Sequence, residues 1–194
     1  MTRIIRNLTS LDMQQIAPRV ITFAVGAISL GALLAATDHL GFSLAGWLAY
    51  SVVFAVGGGI ILLAWRWAGA EQAPRWLLIV LIFAIALRLL VSVGLTHLLP
   101  RFGYEKPEKK QSFIFTDAYL RDRAAWALAV SGAPLQTALE QRNQGDQYGG
   151  TALLYSTVYR LFKPAGHRPL LMVALGFPFS ALLLIFTWAF THST

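Results

Sequence analysis

The stretch Trp76–Thr96 reads WLLIVLIFAIALRLLVSVGLT, and Arg88 is its one charged residue. At 1.5 Å of rise per residue, about 20 apolar residues cross the hydrocarbon core of a bilayer. This run meets that length, so the solvent to reason from is lipid. Three further runs lie to either side, none with a charged residue: Val20–Thr37, Ala45–Trp65 and Leu170–Phe190. Trp47, Tyr50 and Trp65 stand near the ends of the second, where aromatic belts sit. Pro178 lies inside the fourth, where a kink is expected. Gly57-Gly58-Gly59 in the second run has two readings: close approach of a neighbouring helix, or a plain weak point.

Composition supports the membrane reading. The chain has 194 residues, 56% hydrophobic and 13% charged, with a mean hydropathy of +0.58. Soluble domains are roughly 25% charged. The values exclude a disordered chain, a nucleic-acid-binding arm and a disulfide scaffold. With no cysteine there is no thiolate metal site and no thiol nucleophile. The net charge of +7, from 16 Lys and Arg against 9 Asp and Glu, points first to anionic headgroups. The expected fold class is therefore an all-α integral membrane protein, with four transmembrane helices and short interfacial helices in one long outer loop.

Arg3, Arg6 and Arg19 precede the first run, as in a signal peptide. The run exceeds the usual 7–15-residue apolar region, and Leu34-Ala35-Ala36 is a poor cleavage site. It reads as an anchor. Orientation follows from the flanking cations: the leading arginines and the pair Arg66 and Arg75 mark the cytoplasmic side, and Asp38–Leu44, without Lys or Arg, the outer side. Residues 100–168 then lie outside, and a loop this long translocates despite its ten Lys and Arg. The expectation is a multi-pass protein of the cell (inner) membrane, with a cytoplasmic N-terminus and an extracytoplasmic loop.

The loop opens with a polar stretch, Arg101–Gln111, in which Glu105, Lys106, Glu108, Lys109 and Lys110 form either a solvated connector or a phosphate-holding cluster. A helix follows, with Thr116 as N-cap, Asp117 in the first turn and Gly132 as the stop. Helical spacing groups Tyr119, Arg123, Trp126 and Val130 on one face and Asp117, Arg121 and Leu128 on another. Such an interrupted apolar face suits a helix lying along the interface. A second short helix is predicted from Pro134 to about Arg142, and Asp146–Gly150 is turn-prone. A last helix, Thr151–Lys163, carries an apolar stripe of Leu154, Val158, Leu161 and Phe162, and Pro164 ends it. Tyr155, Tyr159, Arg160 and Lys163 are residues that such a helix places at headgroup level.

This order carries a family resemblance. A membrane helix bearing Arg88-Leu89-Leu90 leads to an outer loop that opens with Asp117 beside Phe113, Phe115 and Tyr119. Two interfacial helices flank Asp146-Gln147-Tyr148-Gly149-Gly150, and another membrane helix follows. The arrangement resembles the start of the GT-C glycosyltransferases, membrane enzymes that use polyprenyl-phosphate-linked sugars, of the protein mannosyltransferase and aminoarabinose transferase type. It covers about Trp76–Phe190. Residues 1–75 are then an added tail with two membrane helices. Residues 76–194 are a GT-C-like start: membrane helix 76–98, outer loop 100–168 and membrane helix 169–191.

The resemblance implies roles. The aspartate opening the family's first outer loop acts as base, and here it falls on Asp117. The family often has a second acid directly after it; this chain has Ala118, and Asp122 is the next candidate. Donor phosphate would be held by Arg121, Arg123 and Lys109, and Asp146, Gln147 and Tyr148 would form an acceptor or loop site. The implied partners are membrane lipid, a polyprenyl-phosphate-linked sugar and an unassigned acceptor, with no nucleic acid. No cofactor is assigned; a divalent metal is compatible with the chemistry, and no residue is designated to bind one.

The chemistry agrees with such a layout. A lipid-linked donor keeps its phosphate at the headgroup plane. Attack of a hydroxyl on the anomeric carbon needs a carboxylate to take the proton, a contribution of about 10²–10⁴-fold. Cations nearby stabilise the phosphate that leaves.

Bland alternatives stand beside each role. Asp117 and Arg121, four apart, also suit a helix-surface salt bridge, and Asp146 a turn. Arg88 is either functional or snorkelling. His39, His97, His167 and His192 have no metal-ligand spacing. Enzymes of this type have more membrane helices, so the chain is expected to be an N-terminal portion. The competing class is a non-catalytic four-helix membrane protein whose basic outer loop binds anionic lipid or a protein partner.

Overall fold

The computed structural model describes residues 2–38, 40–68, 73–102, 107–110, 113–140, 149–162 and 168–192. For residues 2–17, 19, 107, 109, 140, 169 and 192 that description is of the backbone alone. The described residues form nine helices and no strand: α1 (Thr2–Thr37), α2 (Leu44–Trp67), α3 (Arg75–Phe102), α4 (Pro107–Lys110), α5 (Thr116–Ser131), α6 (Thr137–Glu140), α7 (Gly150–Phe162), α8 (Pro169–Leu175) and α9 (Phe177–His192). Four segments are long and apolar enough to cross a membrane: Val20–Thr37, Leu44–Trp67, Arg75–Phe102 and Leu170–Thr191. These are the four runs read from the sequence, each beginning or ending within a few residues of its expected bound. The chain is all-helical, with the makings of a multi-pass membrane protein.

Surface chemistry agrees. Ile79, Ile82, Phe83, Leu87, Leu90 and Val91 of α3 are exposed, a continuous apolar surface that water would not tolerate and lipid would. In lipid, helix association depends on close packing of small residues rather than on hydrophobic expulsion. The glycines of α2 illustrate this. A methyl group added at Gly57 would meet the Phe177 ring at 2.6 Å and Pro178 at 2.7 Å, and one at Gly58 the Phe23 ring at 2.6 Å. Gly59 has open space. Two of the three glycines therefore serve close approach, to α9 and α1 respectively. Gly31 of α1 likewise lies directly against Ser51 of α2.

The kink expected at Pro178 appears as a break between two helices. Gly176 ends α8, its N–H donating to Val173 O at 3.0 Å in a tightened turn. Pro178 then falls in the first turn of α9, where a missing N–H removes no intrahelical bond.

Long-range polar contacts fix the ends of the bundle. At one end Arg168, just before α8, pairs with Asp38, just after α1, at 2.8 Å; both are buried. Asp38 also accepts from the Tyr50 hydroxyl at 2.6 Å, and Arg168 donates to Gly41 O at 3.1 Å and Ser43 Oγ at 3.0 Å. Ser43 in turn caps α2 by accepting from Gly46 N at 3.0 Å. His97 of α3 bonds Thr37 O at 2.6 Å at the same end. At the other end Trp67 of α2 meets Phe186 of α9 edge-on, ring centroids 5.7 Å apart. The segments therefore run up, down, up and down, with the α1–α2 turn, the end of α3 and the start of α8 on one side.

The loop helices differ from their sequence reading. α5 begins at Thr116, but the cap position is Phe115, and the Thr116 hydroxyl donates instead to Glu108 of α4 at 3.1 Å. Gly132 stops the helix as expected, with φ +72°. Its buried face is Tyr119, Asp122, Ala125 and Leu128, whereas Val130, grouped with Tyr119 by spacing, is exposed. α7 buries Ala152, Ser156, Val158 and Tyr159; of the expected stripe, Leu154 and Leu161 are exposed. Both differences have one cause. α5 and α7 pack on each other through a small and polar seam, in which Ser156 Oγ donates to Ala125 O at 3.0 Å and the Tyr159 hydroxyl donates to Asp122. Arg160 adds to it, donating to Leu128 O and Ala133 O at the C-terminal end of α5, where a cation meets the negative pole of the helix. The apolar side of α7 is left to face outward. α6 is shorter than expected, because Pro134–Gln136 form turns, and residues 141 and 142 lie outside the described residues.

Candidate functional site

The spanning helix α3 leads upward into the loop helices, and a cavity of about 240 Å³ forms where α3, α5, α7 and α8 meet. Ser92, Leu95 and Thr96 line it from α3, Phe113, Ile114 and Phe115 from the entry to α5, and Met172 and Val173 from α8. α5 contributes Ala118 and Arg121, and α7 contributes Thr151 and Tyr155. The wall is mainly apolar, and Arg121 is the cation in it.

Arg121 connects the cavity to the first candidate acid. Its guanidinium meets the Asp117 carboxylate at 2.7 Å, one helical turn away. The Asp117 side chain is 54% exposed, so this carboxylate is open to an incoming group. Asp122 is in the opposite situation. It is 1% exposed, lies in the α5–α7 seam away from the cavity, and accepts from the Tyr159 hydroxyl. Trp126 closes over that tyrosine edge-on, at 5.4 Å between centroids. Burial, with the negative charge of Asp122 next, raises the Tyr159 phenol above its ordinary pKa, so it remains a proton donor to the carboxylate. The sequence made these two aspartates alternatives for one role; the fold gives them different surroundings, one exposed beside a cavity and one enclosed.

The remaining candidates divide. Arg123 is exposed and lies over the Tyr119 ring at 5.7 Å, away from the cavity wall. The Lys109 side chain and Asp146, Gln147 and Tyr148 lie outside the described residues. Among the described residues no three His, Cys, Asp or Glu side chains gather in a metal-sized group.

Two residues gain a place that their spacing did not give. Tyr155 is half-buried in the cavity wall. Burial raises its pKa, Asp122 adds to that, and the positive charges of Arg121 and Arg88 oppose it. Arg88, singled out as a charge within a span, turns toward the bundle: it donates to Ser180 Oγ of α9 at 2.7 Å and packs directly on Gly176. It lines a second cavity of about 430 Å³, which shares Thr151, Tyr155, Met172 and Val173 with the first. The cue available in the sequence was the cost of an arginine inside a span; nothing in the spacing linked it to Tyr155.

No protein-family model matches the chain, and neither a curated protein nor a solved structure does so.

Proposed function

We propose that the chain takes part in transferring a sugar from a polyprenyl-phosphate-linked donor to an acceptor at the outer face of the cell membrane, as the opening portion of a GT-C-type glycosyltransferase. The observation that carries this reading is the Asp117–Arg121 pair at 2.7 Å on the rim of a mainly apolar cavity, beside the end of a spanning helix. A carboxylate there takes the proton of an acceptor hydroxyl as it attacks the anomeric carbon. The bond from that carbon to the donor phosphate breaks, and the phosphate leaves with the electron pair. Arg121 stabilises that charge. In this reading Asp122 holds α5 to α7 and positions the pair.

The orientation follows the same reading. Arg66 and Arg75 mark the bundle end opposite the loop helices, which makes that end cytoplasmic and the cavity end extracytoplasmic. The alternative, a non-catalytic protein binding anionic lipid, draws support from the same short ion pair, since a helix-surface salt bridge needs no substrate.

The test measures sugar transfer from radiolabelled polyprenyl-phosphate sugars in membranes carrying the protein. Asp117→Asn abolishes transfer, by at least about 100-fold if the carboxylate is a general base, and Asp122→Asn acts through folding. Transfer by Asp117→Asn at the unsubstituted rate retires the catalytic reading.

A further inference from the structure

A separate cleft of about 300 Å³ lies in the half of the bundle away from the loop helices. Phe23, Gly26 and Leu30 of α1 line it, with Phe54 and Leu62 of α2 and Ile85 of α3, and every residue of its wall is apolar or glycine. α1 packs on α2, and α3 packs on α8 and α9, so the side between α1 and α3 is left open. The His97–Thr37 bond ties those two helices at the loop end, and the cleft occupies the other half. Phe54 is buried at its floor, and Leu30 and Leu62 are exposed at its rim. From Phe54 to Leu62 the helix rises about 12 Å, most of the roughly 15 Å of hydrocarbon in one leaflet. Gly26 shows that this space is real. A methyl group added there meets nothing within 4 Å, in contrast to Gly31 and Gly58, which serve close approach between α1 and α2.

The mouth of the cleft is basic. Arg66 follows Leu62 by one turn of α2, and Arg19 precedes Phe23 by one turn of the α1 backbone. Arg75 opens α3, where the helix dipole gives a cation no benefit. The Arg66 and Arg75 side chains are exposed, and Glu71 is the one acid in residues 66–75. Trp67 and Trp76 beside them are exposed too, as indole rings are at headgroup level.

We propose that this cleft binds an anionic glycerophospholipid of the adjoining leaflet, with an acyl chain laid between α1 and α3 and the headgroup phosphate beside Arg19, Arg66 and Arg75. The site lies at the end of the bundle opposite Asp117, and the proposal is independent of glycosyl transfer. A wall without a donor or acceptor rejects a polar ligand, which would leave its own groups unsatisfied. A neighbouring helix keeps its axis about 8–10 Å away, whereas an acyl chain is thin enough to enter. Its phosphate then arrives at the headgroup plane, where basic mouths between spanning helices hold anionic heads and guanidinium groups offer paired N–H donors.

The experiment titrates the full chain, stripped of lipid in detergent, with phosphatidylglycerol or phosphatidylcholine. Native mass spectrometry then reads the lipid bound per chain and the oligomeric state together. Phosphatidylglycerol is expected to bind tighter than phosphatidylcholine by about fivefold or more, the effect of at least one arginine near a headgroup. Gly26→Leu fills the cleft, leaves the arginines in place and abolishes that preferred binding. Leu30→Trp at the rim does the same. Arg66→Gln combined with Arg75→Gln brings the two lipids close to parity. Equal affinity for both lipids in the parent overturns the proposal. So does an undiminished preference in folded Gly26→Leu and folded Leu30→Trp, which would put the lipid on surface arginines outside the cleft. A parent dimer that Gly26→Leu converts to monomer also overturns it, by giving the cleft to a second copy.

Discussion

Arg168 and Arg88 both bond from one helix-bundle element to another, and their surroundings differ: Arg168 is buried and Arg88 is exposed. Arg168 is 7% exposed and meets the Asp38 carboxylate, the Gly41 carbonyl and the Ser43 hydroxyl. Arg88 meets the Ser180 hydroxyl, pairs with no acidic side chain among the described residues, and faces a cavity. The first is a closed set whose charges cancel within the protein. The second leaves positive charge beside empty space. A buried cation with its counterion in place serves the fold; Arg88 is exposed and is under no such requirement.

The sharpest way to break this contrast is to remove the closed pair. Arg168→Ala takes the cation away from the buried Asp38 carboxylate, and the expected loss is about 3–5 kcal/mol. Denaturant or thermal unfolding in detergent measures it. Replacing both partners by apolar residues of similar volume recovers most of that loss; an Arg168→Ala protein as stable as the parent would show that the pair does not close the bundle.

Helix packing provides the next test. Gly57→Ala forces a methyl group to 2.6 Å from Phe177, and overpacking of that kind costs about 1–3 kcal/mol. Gly59→Ala, with open space, is expected to be neutral or to stabilise by up to about 1 kcal/mol. Equal effects at the two positions would remove the distinction drawn between them.

The seam between α5 and α7 adds a test with a pH signature. Tyr159→Phe removes a donor from buried Asp122 and costs about 1–3 kcal/mol. The folded chain also holds the Tyr159 proton more tightly than the unfolded chain, whose tyrosines titrate near pH 10. This contribution is therefore fully present below about pH 10 and is lost as the pH rises above it. Melting temperatures across that range should fall in the parent and fall less steeply in Tyr159→Phe.

The smallest expected effect is on the open side of the comparison. Arg88→Gln changes stability by less than about 1 kcal/mol, since loss of the Ser180 bond is offset by removing a charge from an apolar span. A loss as large as that of Arg168→Ala would make Arg88 a second structural cation.

The four spans were legible because lipid imposes one requirement on every residue of a crossing helix, and hydropathy reads it directly. The loop helices answer to each other instead. Their contact is made by Asp122, Ala125, Ala152, Ser156 and Tyr159, which an apolar-stripe reading passes over, and the stripe it does find, with Leu154 and Leu161, faces out. Gly132 as a stop was legible because a positive φ has a strong residue preference. The Thr116 hydroxyl was not, because the choice between capping its own helix and meeting Glu108 depends on where α4 lies. Of the candidate site, the Asp117–Arg121 pair followed from spacing. The division between Asp117 and Asp122, and the placing of Arg88 near Tyr155, needed the third dimension.

The clamp at Arg168 bears on how the chain is made. Gly41 and Arg168, joined by a hydrogen bond, stand 127 residues apart. Synthesis proceeds from the N-terminus, so the α1–α2 hairpin is made well before the Arg168 that pairs with its Asp38. Until then the hairpin has its own close approaches at Gly31 and Gly58 and the Tyr50–Asp38 hydrogen bond. Arg168, made just before α8, then ties that hairpin to the fourth long apolar segment.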